Sequence, residues 1–335
     1  MKATIRDVAK AAGVSVATAS MALNNRAGVN VHTRQKVLEV AERMNYVASY
    51  SAQSLVTRES GYIGLLLPEI QNPFYSAIVD NTSRLAEANG LTLLLGITNN
   101  SPEQEEKYVR YFLSRSVQGV IVIPILNRRR SDRHIDMLRG ANVPIVFCTE
   151  RYSGSREPVV MCDFEQGEYE ATKYLVDRGF REFCFVSMDI EAQFTTLRYA
   201  GYVRALEEAG IPVRDDRTML IETPTYEQAY LRAGEFLADR PEAIVCINDI
   251  MTMAIIRRLC EEGLRIPGDI SVIGFDDIMF SALVSPPLST VHQPIQEICE
   301  KTMQILLEMI SAGRQKTGDD ICFIPARLVI RETTI

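Results

Sequence analysis

Two groups of residues have types and spacing suited to recognition chemistry. The first is GVSVATASMALNN, residues 13 to 25. Read as a helix opened by Ser15, whose hydroxyl would accept from the backbone amide three residues on, it presents Val16, Ala17, Ser20 and Met21 on one side and Ala19 with Leu23 on the other. Side chains this small allow close approach to a flat surface, and DNA is such a surface. The second group follows apolar, strand-like runs: Phe74 and Tyr75 after the first run, Arg198 where a helix opens, Asn248 after Ile247, and Asp276 after Gly274-Phe275. Planar amide, carboxylate and guanidinium groups pair with hydroxyls while aromatic faces cover CH surface, which is the chemistry of orienting a small polar ligand.

Bond-making chemistry finds less support. The sequence has no GxGxxG, P-loop, GxSxG or HExxH motif, and no histidine near a candidate nucleophile. Its seven cysteines form no CxxC pair and are expected as reduced core thiols, and its three histidines lack ligand spacing. No metal, no cofactor and no enzymatic activity are expected. The 335 residues, 47% apolar and 24% charged, suit a soluble chain of two or three domains. Apolar runs stay under ten residues, short of the ~20 that span a bilayer. MKATIRDVAK has no apolar signal region, so a cytoplasmic protein is expected, with no membrane partner. The net charge of -7 is uneven: the first 60 residues carry eight basic and four acidic side chains, the rest 28 and 39. A basic head on an acidic body fits a polyanion held at one end.

Such residues need elements to hold them. Thr4 with Asp7 makes a capping box for a helix over 4–12, with Ile5, Val8, Ala9 and Ala12 on one face, and Gly13 ends it. A second helix runs over 15–23. Asn30 and Thr33 open a third that carries Val37, Leu38, Ala41 and Met44 inward. Two helices separated by Gly13-Val14 read as a helix-turn-helix. From residue 61 strands alternate with helices: strands at 63–67, 91–96, 117–123, 145–148, 183–187, 243–247 and 272–275, and helices closed by Gly90, Gly179, Gly210 and Gly263. Alternation of this kind implies parallel sheets flanked by helices, and a polar break at 151–158 suggests two lobes. Ligands bind such sheets at the carboxyl ends of strands, where the second group of residues lies.

TIRDVAKAAGVSVATASMALNN, TRQKVLEVAERMNY, IGLLLPEIQNPFY, INDIMTMAIIRRL, SVIGFDDIMFSALVSPPLSTVHQP and PARLVIRETT, in that order, resemble the lactose-repressor and galactose-repressor type of transcriptional regulator, the LacI/GalR family. The resemblance covers essentially the whole chain. It implies a small all-α headpiece at 1–47, a hinge helix at 48–60, and an α/β core like periplasmic binding proteins, with one lobe at 61–160 plus 291–322 and the other at 161–290 plus 323–335. It further implies a regulator, expected to repress a carbohydrate-utilisation operon, that binds a near-palindromic operator in double-stranded DNA as a homodimer under control of a sugar or sugar derivative. The implied DNA-facing residues are Thr4, Ser15, Val16, Ala17, Thr18, Ser20, Met21, Asn24, Asn30 and Thr33, with Leu55 as a minor-groove wedge and Ala52 as the small residue that lets two hinge helices approach. Arg198, Asn248 and Asp276 match polar effector contacts, with Phe74 or Tyr75 as the apolar wall; Asn72, Asn99, Thr149, Glu150 and Asp163 stand behind them.

Three departures matter. Met21 stands where many members carry an arginine able to bond guanine bidentately. Ala48-Ser49 replaces a common Pro-Asn at the hinge, and Phe164 follows Asp163 where many members have Asn. Two other readings compete with the regulator. A stand-alone solute-binding protein would leave residues 1–60 without a role, and an enzyme would need chemistry that the sequence does not display.

Overall fold

Thr4 and Asp7 exchange hydrogen bonds as a full capping box: Asp7 N–H donates to Thr4 Oγ1 at 3.4 Å, and Thr4 N–H to Asp7 Oδ2 at 2.9 Å. The helix they start, α1 (Ile5–Ala12), ends at Gly13, whose left-handed φ of 69° a side chain would strain. Ser15 Oγ accepts from Thr18 N–H at 3.0 Å to start α2 (Val16–Leu23), and Asn30 Oδ1 accepts from Thr33 N–H at 2.7 Å to start α3 (Val31–Arg43). This is a computed structural model that describes residues 3–24, 27–46, 60–125, 133–188, 192–222, 224–313, 318 and 320–335. It divides into two compact units, Met1–Ser60 and Gly61–Ile335.

The small unit has its own core of Val8, Ala9, Ala12, Ala19, Ala22, Val37, Val40 and Ala41, with Leu23 packed at its edge. One expectation is corrected here. Leu38 is 45% exposed, and Val40 takes the inward place. Val37, Val40, Ala41 and Met44 fall at i, i+3, i+4 and i+7 and share one face, whereas Leu38 is turned about 100° away from Val37.

The large unit contains two six-stranded sheets. Its elements run β1 (Tyr62–Leu67), α4 (Pro73–Ala88), β2 (Thr92–Ile97), α5 (Pro102–Ser114), β3 (Val120–Val122), α6 (Arg133–Gly140), β4 (Ile145–Cys148), β5 (Val159–Cys162), α7 (Phe164–Asp177), β6 (Phe183–Met188), α8 (Gln193–Glu208), β7 (Thr218–Ile221), α9 (Tyr226–Arg232), β8 (Ala243–Cys246), α10 (Asp249–Glu261), β9 (Ser271–Asp276), β10 (Ser289–His292), α11 (Ile295–Ala312), β11 (Ile321–Ile324) and β12 (Arg327–Val329). The first sheet is ordered β11-β5-β4-β3-β1-β2 and is parallel throughout. The second is ordered β12-β10-β9-β8-β6-β7, and β12 alone runs antiparallel.

Three passages link the sheets: after β5, after β10 and after β11. The expected lobe limits at 160, 290 and 322 fall inside those three strands, each of which stays whole in one sheet. Consecutive buried apolar residues, as in β1 and β9, reflect sheets covered on both faces. Among the described residues, no helix is long and apolar enough to cross a membrane.

Candidate functional site

In the large unit the carboxyl ends of strands from both sheets surround one cleft that opens to solvent. After β1 come Glu69, Asn72, Phe74 and Tyr75; after β4, Thr149 and Glu150; after β5, Phe164. The second sheet contributes Asn248 after β8, Asp276 at the end of β9 and Gln293 after β10, while α8 adds Phe194 and Arg198. All five residues expected to hold an effector, Phe74, Tyr75, Arg198, Asn248 and Asp276, are therefore brought together. Asn72, Thr149 and Glu150 join them. Asn99 and Asp163 do not line the cleft; Asp163 caps α7, its Oδ1 accepting from Gln166 N–H at 3.1 Å.

Arg198 is 4% exposed. Its guanidinium lies 3.6 Å from Asp276 Oδ1 and over three rings, 4.0 Å from the centre of Phe275, 4.5 Å from Phe164 and 5.3 Å from Phe194. The departure at Phe164 thus has a structural role, because its ring forms one wall of the cage that orients the cation. Gln293 Nε2 donates to Asp276 Oδ1 at 2.7 Å. Burial pushes the Asp276 carboxyl up to about 7, against the opposing pull of Arg198, Gln293 and the Asp249 main chain. Asp276 and Asp277 hold φ of 125° and 57°, a strained backbone that turns the first carboxylate to the cleft. Asp277 faces elsewhere: it accepts from His292 Nδ1 at 2.9 Å and Arg331 Nη2 at 2.6 Å. Burial alone would raise its pKa, and those two partners outweigh it to hold the group low.

The two asparagines have double duty. Asn72 Oδ1 accepts from Phe74 N–H at 3.0 Å and Asn248 Oδ1 from Met251 N–H at 2.8 Å, capping α4 and α10 while both residues line the cleft. Behind Asp276, the buried Asp249 accepts from Thr290 Oγ1 and Ser281 Oγ, both at 2.6 Å, and from Ile278 N–H at 3.0 Å. Gly274 makes room for it, since a Cβ there would sit 2.4 Å from Asp249 Oδ1.

Glu168 on α7 is fully buried, and neither carboxyl oxygen has a hydrogen-bond partner among the described residues. Burial lifts it to about 8, against the attraction of Arg198. A carboxyl raised in the fold favours folding below its ordinary pKa of 4.5 and loses that contribution as pH rises through about 8. Wild type and Glu168→Gln are expected to unfold alike near pH 4.5 and to diverge above it. The variant should be more stable by about 2 kcal/mol at high pH, relaxation of the surroundings around the ionised carboxylate offsetting part of the burial penalty. Thermal unfolding across this range checks it; identical pH profiles would refute it.

Sequence reasoning missed Glu69, Phe194 and Gln293. Glu69 lies two residues beyond β1, where a strand-end search would find it. Gln293 was hidden because β10, STVH, carries little apolar signal.

In the small unit, α2 presents Val16 (44% exposed) and Ala17 outward, with Thr18, Ser20 and Met21 half-buried and Met21 outside the apolar core. The Ser15 and Thr18 hydroxyls are hydrogen-bonded at 2.8 Å, and Asn24 Nδ2 donates to Ser20 Oγ at 3.4 Å. Thr4 and Asn30 are exposed at the starts of their helices and Thr33 is half-buried. Ala52 and Leu55 lie outside the described residues.

Residues 4–49 match the model described as "Bacterial regulatory proteins, lacI family", and residues 172–334 match "Periplasmic binding protein-like domain". The HTH-type transcriptional repressor PurR of Vibrio atlanticus is 35% identical over 315 residues, 92% of each chain. The lac repressor dimer bound to operator and the anti-inducer ONPF superposes with a TM-score of 0.87 at 25% identity, over the whole of both chains. A CelR–cellobiose complex gives 0.74 at 25% identity over 99% of this chain and 100% of that one. Caps, helix order, paired sheets and full-length similarity agree: the chain belongs to the LacI family of DNA-binding transcriptional regulators.

Proposed function

We propose that this regulator controls a carbohydrate-utilisation operon through a sugar or sugar derivative held in the cleft, and that a homodimer reads a near-palindromic operator with α2. The observation that carries the effector reading is the juxtaposition of Arg198, Asp276 and Gln293 with the amides of Asn72 and Asn248 and the ring of Phe74. Paired planar groups beside an aromatic face suit vicinal hydroxyls over a CH surface. The cellobiose-bound relative supports a carbohydrate ligand. The dimer reading is supported by Met279, Phe280 and Leu283, large apolar side chains exposed within one short segment. Fluorescence anisotropy of duplex binding, with and without a panel of sugars, tests the whole reading. Salt-sensitive binding changed by at least one sugar is expected; sugars that leave it unaltered would refute the effector assignment.

On DNA, Ser15, Thr18, Ser20, Asn24, Thr4, Asn30 and Thr33 would serve phosphates or base edges, and Val16, Ala17 and Met21 would face bases. A thioether cannot make the bidentate bond to guanine that arginine makes, and suits a thymine methyl instead. Sites selected from random duplexes by Met21→Arg should gain guanine at one symmetric position, with roughly 5- to 150-fold discrimination there. Identical preferences at every position in wild type and variant would sink the assignment.

A further inference from the structure

The cleft has a surplus of acceptors. Three carboxylates line it, Glu69, Glu150 and Asp276, and Arg198 is the one Lys, Arg or His among its described lining residues. That cation is already engaged, 3.6 Å from Asp276 and enclosed by three rings. Glu150 is also occupied: its oxygens accept from Phe194 N–H at 3.0 Å and Arg151 N–H at 3.1 Å. Glu69 is different. It has no hydrogen bond or ion pair to any described residue, and burial raises its carboxyl with no partner to offset the rise. Gln293, 2% exposed and facing the same cleft, has donated Nε2 to Asp276 and is left with a buried Oε1 that no donor among the described residues meets. A ligand that satisfies this cleft must bring N–H or O–H donors, and it meets a net negative charge when it does.

We propose that the effector carries a protonated amine on a hydroxyl-bearing ring, an amino sugar in chemical class, and that Glu69 selects it. This rests on the effector reading above and sharpens it. An ammonium brings three donors and a full charge, where a hydroxyl brings one donor and none. The rings of Phe74 and Tyr75, edge to face with centres 5.3 Å apart on the segment that follows Glu69, add faces on which a cation is favourably placed. A phosphorylated or carboxylated ligand would meet like charge from Glu69, Glu150 and Asp276, with no second cation lining the cleft among the described residues to receive it.

Calorimetric titration of the full chain tests this with D-glucosamine and D-galactosamine, their neutral parents, and the parents' 6-phosphates. At least one amino sugar is expected to bind tenfold or more tightly than its parent, and the phosphates not measurably. In Glu69→Gln, checked for an unchanged melting temperature, that ratio should fall to about one. A parent or phosphate that binds as well as the amino sugar, a ratio that survives in Glu69→Gln, or no binding by either amino sugar overturns the proposal. Neutral sugars that bind without preference and are lost in Phe74→Ala would leave the site standing while the amine class falls. An amino sugar that binds wild type and Phe74→Ala alike would bring down the site reading itself.

Discussion

Arg198→Ala is expected to lower the stability of the core by about 3 kcal/mol at pH 8 and to weaken effector binding at least 100-fold, while operator binding without effector persists. The guanidinium is the favourable charge for two buried carboxyls, Asp276 at 3.6 Å and Glu168 behind it, and both are already raised, to about 7 and about 8. Removing the cation takes from Glu168 the charge that opposes its burial, and leaves Asp276 with the hydrogen bonds from Gln293 and the Asp249 main chain. A buried carboxyl that loses its partner protonates more readily than it remains ionised, so the penalty depends on pH. Both folded pKa values lie above their ordinary values of 3.8 and 4.5 and would move higher still in the variant. The added destabilisation is therefore absent near pH 4, where both groups are neutral in the folded state of wild type and variant alike, and grows as pH rises through 7 to 8. A residual loss of about 1 kcal/mol should persist in acid, because the stacking on Phe164, Phe194 and Phe275 also goes. Arg198→Lys keeps a charge but not the planar contact, and should fall between. Equal unfolding profiles for wild type and Arg198→Ala at pH 4 and pH 8 would refute the electrostatic account.

Legibility in the sequence followed how local each signal was. The caps Thr4, Ser15, Asn30 and Asn72 act within three residues, and Thr4, Ser15 and Asn30 announced their helices directly. Strands buried on both faces, such as 62–67 and 145–148, announced themselves as unbroken apolar runs. What could not be read was short, edge-placed or returning from far along the chain. Ile321–Ile324 pairs with Val159–Cys162 at the sheet edge, about 160 residues away, and is half exposed; Arg327–Val329 is three residues long. Ser289–His292 is buried yet mixes polar and apolar residues, because Thr290 satisfies Asp249 and Ser289 accepts from Arg331 N–H. Missing that strand concealed Gln293 and with it the partner of Asp276. The site was legible as a set of strand-end residues. Its electrostatic design was not, because Glu168 lies mid-helix in a sequence that gives no sign of burial.

Glu150→Ala is expected to loosen the two lobes from each other in the absence of any ligand. Glu150 follows β4 in the first sheet, and its Oε2 accepts at 3.0 Å from the amide of Phe194, in the first turn of α8 against the second sheet. The residue before that helix is Ala192, which has no side chain able to cap it, so a carboxylate from across the cleft takes the place of a cap. Both residues are largely buried, and a charge-assisted hydrogen bond in such surroundings contributes about 1.5–3 kcal/mol. Its loss moves the balance between approached and separated lobes by roughly 10- to 150-fold toward separation. Small-angle scattering should show a larger radius of gyration for the ligand-free variant. Effector affinity should fall by a similar factor, because the binding-competent arrangement is less populated. Glu150→Gln keeps an acceptor for the Phe194 amide without the charge, and should show a partial effect. The operator should respond as well, since any coupling between cleft and DNA is reciprocal: a shift in lobe balance acts on the headpiece as a change in effector occupancy would. Identical scattering profiles for wild type and Glu150→Ala would show that packing elsewhere holds the lobes together and that the carboxylate only caps the helix.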